Sequence, residues 1–526
     1  MARKRIIYLD LGAINKDGKK NFLNSESWPV KEKYFWKFID FIFENYYNSL
    51  KKLNGRDFHI GVIEVAFLNN LIQVLHINYV KEYAKKNKIK ILNTKISQIF
   101  FKPDWNNIAN FYKIHSYPYN KFNRFLRKIF KAIYFNRHLP LYKIIIGIFS
   151  KNKNISLGSF DNIKKDYIFK TNNFYNHIAW VDLLNKNWQS KFDNKKVMKQ
   201  VNSFSKIILQ PMLLNIKKNK FTKEFAKSLD FNKIQKAWEV RIKDLYILQE
   251  VFCPSESVKE LLITECGKPF HKLIAASYKE KKTIVTNFSH GNDPSFVDQR
   301  WTHNYLISVC NRYAFESHSI KKSFNRIRKN FILDFKENIK YLSIDSPIYN
   351  RLKNHTNLIK NNNNVMLMGY PMNSKRYVDD VYHFFHYKLK LEIHLLNELK
   401  KTSNNIIYKA HPDRINELGN IMKQDSVNII SEKFENVWKQ AGVLIFTYVT
   451  TTTFGFAIQL PVPIILIAPE STKWIKERKK ILEKRVVLIS NSDENNYMKI
   501  NKLNLENAIK LAKKRVDLNV AKKLID

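Results

Sequence analysis

The sequence predicts an α/β protein of two domains, with a parallel sheet in the last third of the chain. The length of 526 residues is typical of two or three domains and allows large cores. After residue 364, short and wholly apolar runs alternate with segments that have helical periodicity. Strands that are apolar on both faces are typical of a parallel sheet that helices cover on both sides.

The predicted elements follow one another in the order that such a fold requires. Before residue 353 they are a strand at Arg5–Asp10, a helix from about Ile63 to Lys86, and strands at Ile89–Leu92 and Thr283–Phe288. After residue 364 the strands are Val365–Met368, Asn405–Lys409, Val427–Ile430, Val443–Phe446 and Pro463–Ile467. The helices between them are Val378–Lys401, Asp413–Lys423, Lys433–Gln440 and Thr451–Leu460.

The best domain boundary is the segment Lys353–Asn364, which combines turn-forming residues with no apolar periodicity. We therefore predict an N-terminal Rossmann-like domain with helical insertions over residues 1–360. A second Rossmann-like domain is predicted over residues 361–505, and a C-terminal helix over residues 506–526.

Composition indicates a globular protein that stays in the cytoplasm. Hydrophobic residues make up 44% of the chain, yet no run approaches the roughly 18 to 20 apolar residues of a membrane helix. The basic N-terminus leads directly into a short strand, which is not the pattern of a signal peptide. The three cysteines, Cys253, Cys266 and Cys310, are scattered, which fits a reducing compartment and excludes a CxxC zinc site.

The formal net charge of +45 predicts attraction to an anionic partner. Lysine is abundant together with asparagine and isoleucine, as in AT-rich genomes, and this bias accounts for part of the charge. The remaining excess suits a lipid headgroup surface, a charged glycan or nucleic acid.

One N-terminal segment, Trp105–Phe160, contains no aspartate or glutamate. Within it, one helical face is apolar and the other is basic. The apolar residues are Phe122, Phe125, Leu126, Ile129, Phe130, Ile133 and Tyr134, and the basic ones are Arg124, Arg127, Lys128 and Lys131. This pattern has two interpretations: a surface helix packed on the domain core, or a helix that lies on an anionic membrane.

Ligands of open parallel sheets bind beyond the carboxyl ends of the strands, so polar residues at these ends are the candidate site. Lys409, His411 and Arg414 follow the strand Asn405–Lys409, and Pro412 favours an extended His411. Two fixed cations and an imidazole suit the diphosphate of a nucleotide. A solvated loop with incidental basic residues is the alternative.

The most apolar strand is followed by four consecutive threonines, Thr450, Thr451, Thr452 and Thr453. Threonine is a mediocre helix former, and ordinary N-capping needs only one of the four. Their hydroxyls and the backbone amides around them suit a phosphate or a donor sugar.

Two further strand ends carry weaker candidates. Ser374 and Arg376 follow the strand Val365–Met368 and either contact the donor or form a plain turn. His290 and Asp293 follow the strand Thr283–Phe288, and either one suits a general base for an acceptor hydroxyl. The alternative for this pair is a turn in which the two side chains bond to each other.

Other common catalytic motifs are missing from the sequence. It has no GxGxxG, GxxxxGK[ST] or GxSxG, so dinucleotide, P-loop and hydrolase functions have no support. Asp379, His383 and His386 share one helical face, but no further ligand motif accompanies them, so we expect no metal site.

Three of these motifs together resemble the GT-B superfamily that builds bacterial surface polysaccharides. They are Lys409-Ala410-His411-Pro412, the cluster Thr450–Thr453, and Leu460-Pro461-Val462-Pro463. The superfamily includes capsule Kdo transferases, sialyl- and polysialyltransferases and CDP-glycerol glycerophosphotransferases, and the chain most resembles uncharacterised surface carbohydrate biosynthesis transferases. The resemblance covers Val365–Ala468, with threonines where Ser-Ser is commoner.

The resemblance implies a GT-B fold, with two Rossmann-like domains that face each other across a cleft where the reaction occurs. It also implies a metal-independent glycosyltransferase without a cofactor, which uses a nucleotide-sugar donor, a CMP-sugar above others. His411 and the threonines would stabilise the leaving phosphate, and His290 or Asp293 would activate a glycan or lipid-linked glycan acceptor. The transferred sugar would be Kdo- or nonulosonate-like. The basic region Lys121–Lys131 would hold the enzyme peripherally on the inner face of the cytoplasmic membrane, near a lipid-linked acceptor. The alternatives are a CDP-polyol phosphotransferase of the same architecture, or a non-catalytic protein that binds membranes or nucleic acid. Since no nucleic-acid fold signature is present, we expect no nucleic-acid partner.

Overall fold

The computed structural model describes most of the chain. The described residues are 5–26, 28–93, 129–130, 132–150, 153–158, 162–178, 192–252, 254, 258–264, 269–289, 296–298, 306–327, 338–345, 363–370, 385–402, 405–411, 418, 421–423, 426–491 and 500–525.

The strands of the protein form two parallel sheets of six strands each, and a separate parallel pair. In chain order they are β1 (Ile6–Tyr8), β2 (Lys90–Leu92), β3 (Lys153–Leu157), β4 (Tyr175–Ile178), β5 (Val258–Thr264), β6 (Ile284–Phe288), β7 (Arg312–Phe315), β8 (Lys340–Ser343), β9 (Val365–Met368), β10 (Ile406–Lys409), β11 (Val427–Ile430), β12 (Val443–Phe446), β13 (Ile464–Pro469) and β14 (Val487–Asn491). The first sheet has the order β4-β3-β5-β6-β7-β8 and the second the order β11-β10-β9-β12-β13-β14. The predicted fold class, α/β with a parallel sheet in each half of the chain, is confirmed.

Helices occupy the connections between the strands and form a layer at the N-terminus. They are α1 (Leu11–Asp17), α2 (Lys19–Leu23), α3 (Glu32–Leu50), α4 (Gly55–Ile63), α5 (Val65–Lys86), α6 (Leu141–Phe149), α7 (Asn162–Thr171), α8 (Asn194–Phe204), α9 (Gln210–Lys218), α10 (Phe231–Val251), α11 (Pro269–Glu280), α12 (His318–Ile327), α13 (Phe385–Lys400), α14 (Phe434–Val437), α15 (Thr452–Ala457), α16 (Lys476–Arg485), α17 (Lys502–Lys513) and α18 (Leu518–Ile525). A π-helical turn, Ser205–Leu209, joins α8 to α9. In the described part of the chain, no helix is both long and apolar enough to cross a membrane.

The strand order of the C-terminal sheet creates a reversal at its centre. From β9 the chain builds outward through β10 to β11, then returns to place β12 on the other side of β9 and continues to β14. The connections that leave β9 and β12 therefore diverge, which in doubly wound sheets leaves a crevice between the carboxyl ends of the two strands. This position is called the crevice below. The N-terminal sheet reverses in the same way between β3 and β5.

The central strands of the C-terminal sheet are buried on both faces, as their continuous apolar sequences require. On one face Leu367 and Tyr408 pack with α13 in the larger hydrophobic core. On the other face Met366 and Leu444 join a second core that includes Phe454 of α15.

Most sequence-predicted elements of this sheet are confirmed, and the strands β9, β11 and β12 have the predicted bounds. The helix predicted at Thr451–Leu460 is shorter in the structure, where α15 ends at Ala457. Beyond this end, the Arg485 side chain donates to the carbonyls of Ile458 and Leu460. The described part of the predicted helix Val378–Lys401 is confirmed as α13, Phe385–Lys400. Residues 378–384 and most of the predicted helix Asp413–Lys423 lie outside the described residues.

Hydrogen bonds from side chains and from the main chain connect the two halves of the chain. Arg478 of α16 donates to Ser319 Oγ of α12 at 2.9 Å and to the Leu524 carbonyl of α18 at 2.5 Å. The Ile475 amide donates to the Phe296 carbonyl at 2.9 Å. Phe296, which follows β6 in sequence, is thus buried in the second core beside Phe454.

Candidate functional site

The loops after β9, β10 and β12 meet at the central reversal of the C-terminal sheet. The Gly369 amide donates to the Lys409 carbonyl at 3.0 Å, which extends the pairing of β9 with β10 by one residue. On the other side, Tyr448 Oη donates to the Gly369 carbonyl at 3.4 Å, and the Tyr370 and Tyr448 rings meet edge to face. These contacts place the predicted Lys409–His411 turn and the loop that leads to the threonines on either side of Gly369.

Gly369 is required at this position by the close approach of a buried side chain. A Cβ atom on Gly369 would overlap the Tyr408 hydroxyl and crowd the Lys409 carbonyl. Because glycine lacks this atom, the Tyr408 ring passes beneath the turn and reaches helix α13.

Helix α13 supports the crevice from below through two charged side chains that lie one turn apart. Lys388 Nζ donates to the Thr447 carbonyl at 2.7 Å, directly after β12. Glu392 accepts from the Tyr370 amide at 2.6 Å and from Tyr408 Oη at 2.8 Å. One helix therefore fixes the main chain or side chain of all three strands that border the crevice.

Glu392 is fully buried, and burial raises the pKa of its carboxyl from 4.5 to about 7. The hydrogen bonds from Tyr370 and Tyr408 and the charge of Lys388 act in the opposite direction but do not outweigh the loss of solvation. The charge beneath the crevice thus changes near neutral pH.

Replacing Glu392 with glutamine is expected to change how stability depends on pH. Since the pKa in the folded protein lies above 4.5, this carboxyl stabilises the fold fully below pH 4.5, and the contribution is lost as the pH rises through about 7. Relative to E392Q, the native protein should lose about 3 kcal/mol of unfolding free energy over this interval. Urea unfolding at a series of pH values measures the difference.

Glu398 on the same helix provides a control of opposite sign. The hydrogen bond from Lys401 lowers the pKa of Glu398, so its contribution is present above the usual pKa and is lost as the pH falls. The native protein should therefore lose stability relative to E398Q only in acid. Parallel pH profiles for the native protein and E392Q would contradict a titrating Glu392.

The first two candidates in the turn after β10, Lys409 and His411, differ in how deeply they are buried. Lys409 is buried and donates from Nζ to the Ala410 carbonyl at 2.7 Å. Burial lowers the pKa of Lys409, while Glu432 and Glu435 raise it. His411 lies half-buried at the strand end, one residue beyond the last pairing contact of Ala410 with β11.

The threonine cluster begins a helix of only six residues, α15. Thr451 is its N-cap, and Thr451 Oγ1 accepts from the Thr453 amide at 3.3 Å. Thr452 is exposed, and Thr450, Thr451 and Thr453 are half-buried. Because so short a helix has a weak dipole, an anion at this place would depend on the hydroxyls and the surrounding amides.

The remaining predicted site residues lie outside the described part of the chain. They are Ser374, Arg376, Arg414, His290 and Asp293. For the last two, both flanking segments are described: Ser289 ends the extension of β6, and Phe296 packs against Phe454 of α15. Six residues thus connect an anchor on the N-terminal sheet to an anchor beside the threonine cluster.

Sequence reasoning missed three charged residues near the strand ends. Lys388 and Glu392 belong to the long predicted helix, and charged residues on a helix are ordinarily exposed to solvent. The third, Glu316, follows β7, is buried, and accepts from Ser289 Oγ at 3.0 Å. The signal for Glu316 was its position directly after an apolar strand.

Helix α13 contains the one described member of the disfavoured zinc trio. His386 is buried between the rings of Phe22 and Trp28, and burial lowers the pKa of its imidazole. Among the residues described, no group of three or more His, Cys, Asp or Glu side chains is arranged to hold a metal.

Comparison with known proteins gave matches only among solved structures. The spinosyn forosaminyltransferase SpnP is 9% identical over 71% of this chain and 95% of that chain, with a TM-score of 0.31. An α,α-trehalose-phosphate synthase (UDP-forming) from Burkholderia vietnamiensis is 11% identical over 70% of this chain and 98% of that chain, also with a TM-score of 0.31. No protein-family model and no curated protein matches the sequence.

Proposed function

We propose that the chain is a GT-B glycosyltransferase that transfers a sugar from a nucleotide donor to a surface glycan or lipid-linked glycan. The observation that carries the proposal is the reversal of strand order between β9 and β12, with His411 and the threonine cluster on loops that follow β10 and β12. A crevice at the reversal of strand order is where doubly wound domains bind nucleotides.

In the proposed reaction the glycosidic bond to the donor phosphate breaks as the acceptor oxygen bonds to the anomeric carbon. The leaving nucleotide gains negative charge, which His411 and the hydroxyls of Thr450–Thr453 would stabilise by hydrogen bonds. Ser374, Arg376, Lys409 and Arg414 would bind the donor, and His290 or Asp293 would take the acceptor proton. We propose no metal and no cofactor, because these groups can neutralise the leaving phosphate.

The proposed donor is a CMP-sugar with a Kdo- or nonulosonate-like acid, and the proposed location is the inner face of the cytoplasmic membrane. The excess of lysine and arginine favours an anionic donor, acceptor or lipid surface.

Thermal unfolding of the purified protein with CMP, CDP, UDP, GDP and ADP is the first test. We expect one cytidine nucleotide to raise the melting temperature, and His411→Ala to abolish most of that rise because it removes a ligand of the phosphate. In a transfer assay, H411A should lower kcat by about 100- to 1,000-fold. His318, an exposed histidine on α12 of the other domain, provides the matched variant H318A, which should leave both values unchanged.

Each failure of this test has a distinct meaning. A shift with every nucleotide that survives in H411A would indicate binding outside the crevice and contradict the proposed site. Consumption of CDP-glycerol in place of a CMP-sugar would keep the site and change the reaction to phosphotransfer. No shift and no nucleotide release would overturn the proposed function.

A further inference from the structure

Helix α6 exposes one face that consists entirely of large apolar side chains. They are Leu141 (65% exposed), Tyr142 (60%), Ile145 (50%), Ile146 (64%) and Phe149 (75%). At about 100° per residue these positions span an arc of about 140°. A surface helix ordinarily presents charged or polar residues on this side.

The opposite side of α6 holds the helix in this orientation. Ile144 is buried, and Gly147 lies so close to the Phe174 ring that a Cβ atom there would overlap it. Since Ile144 and Gly147 are three residues apart, they form one packing stripe. The apolar arc therefore faces outward because the helix is fixed by its other face.

The same short region contains further exposed apolar side chains. In the helical residues 129–130 and 132–135, Phe130 is 68% exposed, Ile133 41% and Tyr134 63%. Of the sixteen large hydrophobic residues that are exposed in the described part of the chain, eight thus lie between residues 130 and 149. Single exposed hydrophobics are common, whereas five on one face of α6 mark an interaction surface.

The charged residues of this stretch of sequence all have one sign. The segment Trp105–Phe160 contains no acidic residue. Arg137 lies between the two helical segments, exposed, with its guanidinium 5.6 Å from the centre of the Tyr134 ring. Lys143, on α6 itself, is half-buried beside the apolar arc.

We propose that the eight exposed residues, called here the apolar face, dock on the surface of an anionic lipid bilayer. Apolar side chains enter the boundary between headgroups and acyl chains, and flanking arginines and lysines bind anionic headgroups. The two tyrosines suit that boundary, because their rings are apolar and their hydroxyls polar. The proposal does not depend on the nature of the nucleotide donor.

A bilayer fits this surface better than a second copy of the chain does. A twofold interface would bring the same acid-free segment of both copies together, and like charges would repel. An anionic bilayer instead supplies the opposite charge along with the apolar interior.

The test compares vesicle binding of the full-length protein and two triple variants. The vesicles contain phosphatidylcholine alone, or equal amounts of phosphatidylcholine and phosphatidylglycerol. The first variant changes Ile145, Ile146 and Phe149 to serine. The matched control changes Leu214, Leu503 and Leu511 to serine in the same way. These three residues lie on other helices and are 47%, 63% and 40% exposed. All six side chains are at least two-fifths exposed, so both variants should fold, which thermal unfolding checks.

We expect cosedimentation of the native protein with the anionic vesicles, a loss of about tenfold or more in affinity for the first variant, and no change for the control. Equal binding by both variants, or no binding by the native protein, would overturn the proposal. Light scattering that shows a native dimer and a monomeric first variant would assign the apolar face to a second copy. Nucleotide-induced thermal shifts of the first variant should match those of the native protein. A failure of the membrane proposal can therefore be distinguished from a failure of the proposed donor site.

Discussion

Replacing Arg241 with methionine is expected to lower the free energy of unfolding by about 3–5 kcal/mol. Arg241 Nε of α10 lies 2.9 Å from Glu64 Oε1 and 3.1 Å from Glu64 Oε2. Glu64 has no exposure to solvent, and Arg241 is 7% exposed. Methionine occupies similar space but leaves the Glu64 carboxylate buried without a cation.

Glu64 connects two parts of the N-terminal domain that are distant in sequence. It separates α4 from α5, and it accepts from Trp238 Nε1 of α10 at 2.8 Å. The Trp238 ring in turn stacks on Phe67 of α5, with ring centres 4.2 Å apart. A loss of the ion pair should therefore weaken the packing of α10 on α5.

The pH dependence separates a lost charge partner from lost packing. Burial raises the pKa of Glu64 and Arg241 lowers it, so R241M should raise this pKa further. A raised folded-state pKa means that stability is present in acid and is lost as the pH rises. R241M should be most destabilised at alkaline pH and should recover as the pH falls.

Urea unfolding of R241M, E64Q and the double variant measures the coupling between the two side chains. The double variant should be more stable than R241M, because it no longer buries an unpaired charge. Arg56→Met is the matched control, since Arg56 pairs with Glu250 while 30% exposed and should cost less than about 1 kcal/mol. R241M that behaves like R56M at every pH would contradict this account.

Much of the C-terminal domain could be predicted from sequence because its strands are almost wholly apolar and the central ones are buried on both faces. The runs that became β9, β11 and β12 have no polar residue except Asn428, and flanking turn residues set their limits. The candidate site followed from one rule, that ligands bind at the carboxyl ends of parallel strands. Several residues of the candidate site lie outside the described part of the chain, so their roles stay predictions.

The supports of the crevice could not be predicted, because they depend on which strands become neighbours. No local feature of the sequence indicates that β12 returns to the side of β9, and this return brings Thr447 within reach of Lys388. The charges of α13 also suggest solvent exposure. Yet Lys388, Lys390 and Glu392 are buried, and each meets a main-chain group: the Thr447 carbonyl, the Ser25 carbonyl and the Tyr370 amide.

Replacing Arg485 with methionine is expected to cost about 3–5 kcal/mol of unfolding free energy, because three buried carbonyls lose their donor. Arg485 has no exposure to solvent, and burial lowers its pKa to about 10, so it remains charged at neutral pH. Its Nε donates to the Ile458 carbonyl at 2.9 Å, and its Nη2 donates to the carbonyls of Leu460 and Val462 at 2.6 and 3.0 Å. These residues connect α15, with the threonine cluster, to β13.

Arg515 provides the matched control for R485M, because it also bonds main-chain carbonyls. It donates to Glu483 at 2.8 Å and to Val486 at 3.1 Å, but it is half-buried, so water can replace it. R515M should therefore cost about 1 kcal/mol in urea unfolding. Equal losses for the two variants would mean that the Leu460–Pro463 turn holds its shape through its prolines. Lysine reaches fewer of the three carbonyls, so Arg485→Lys should bind nucleotide with a smaller thermal shift. That result, together with a larger loss of stability for R485M than for R515M, would mean that Arg485 positions the threonine cluster.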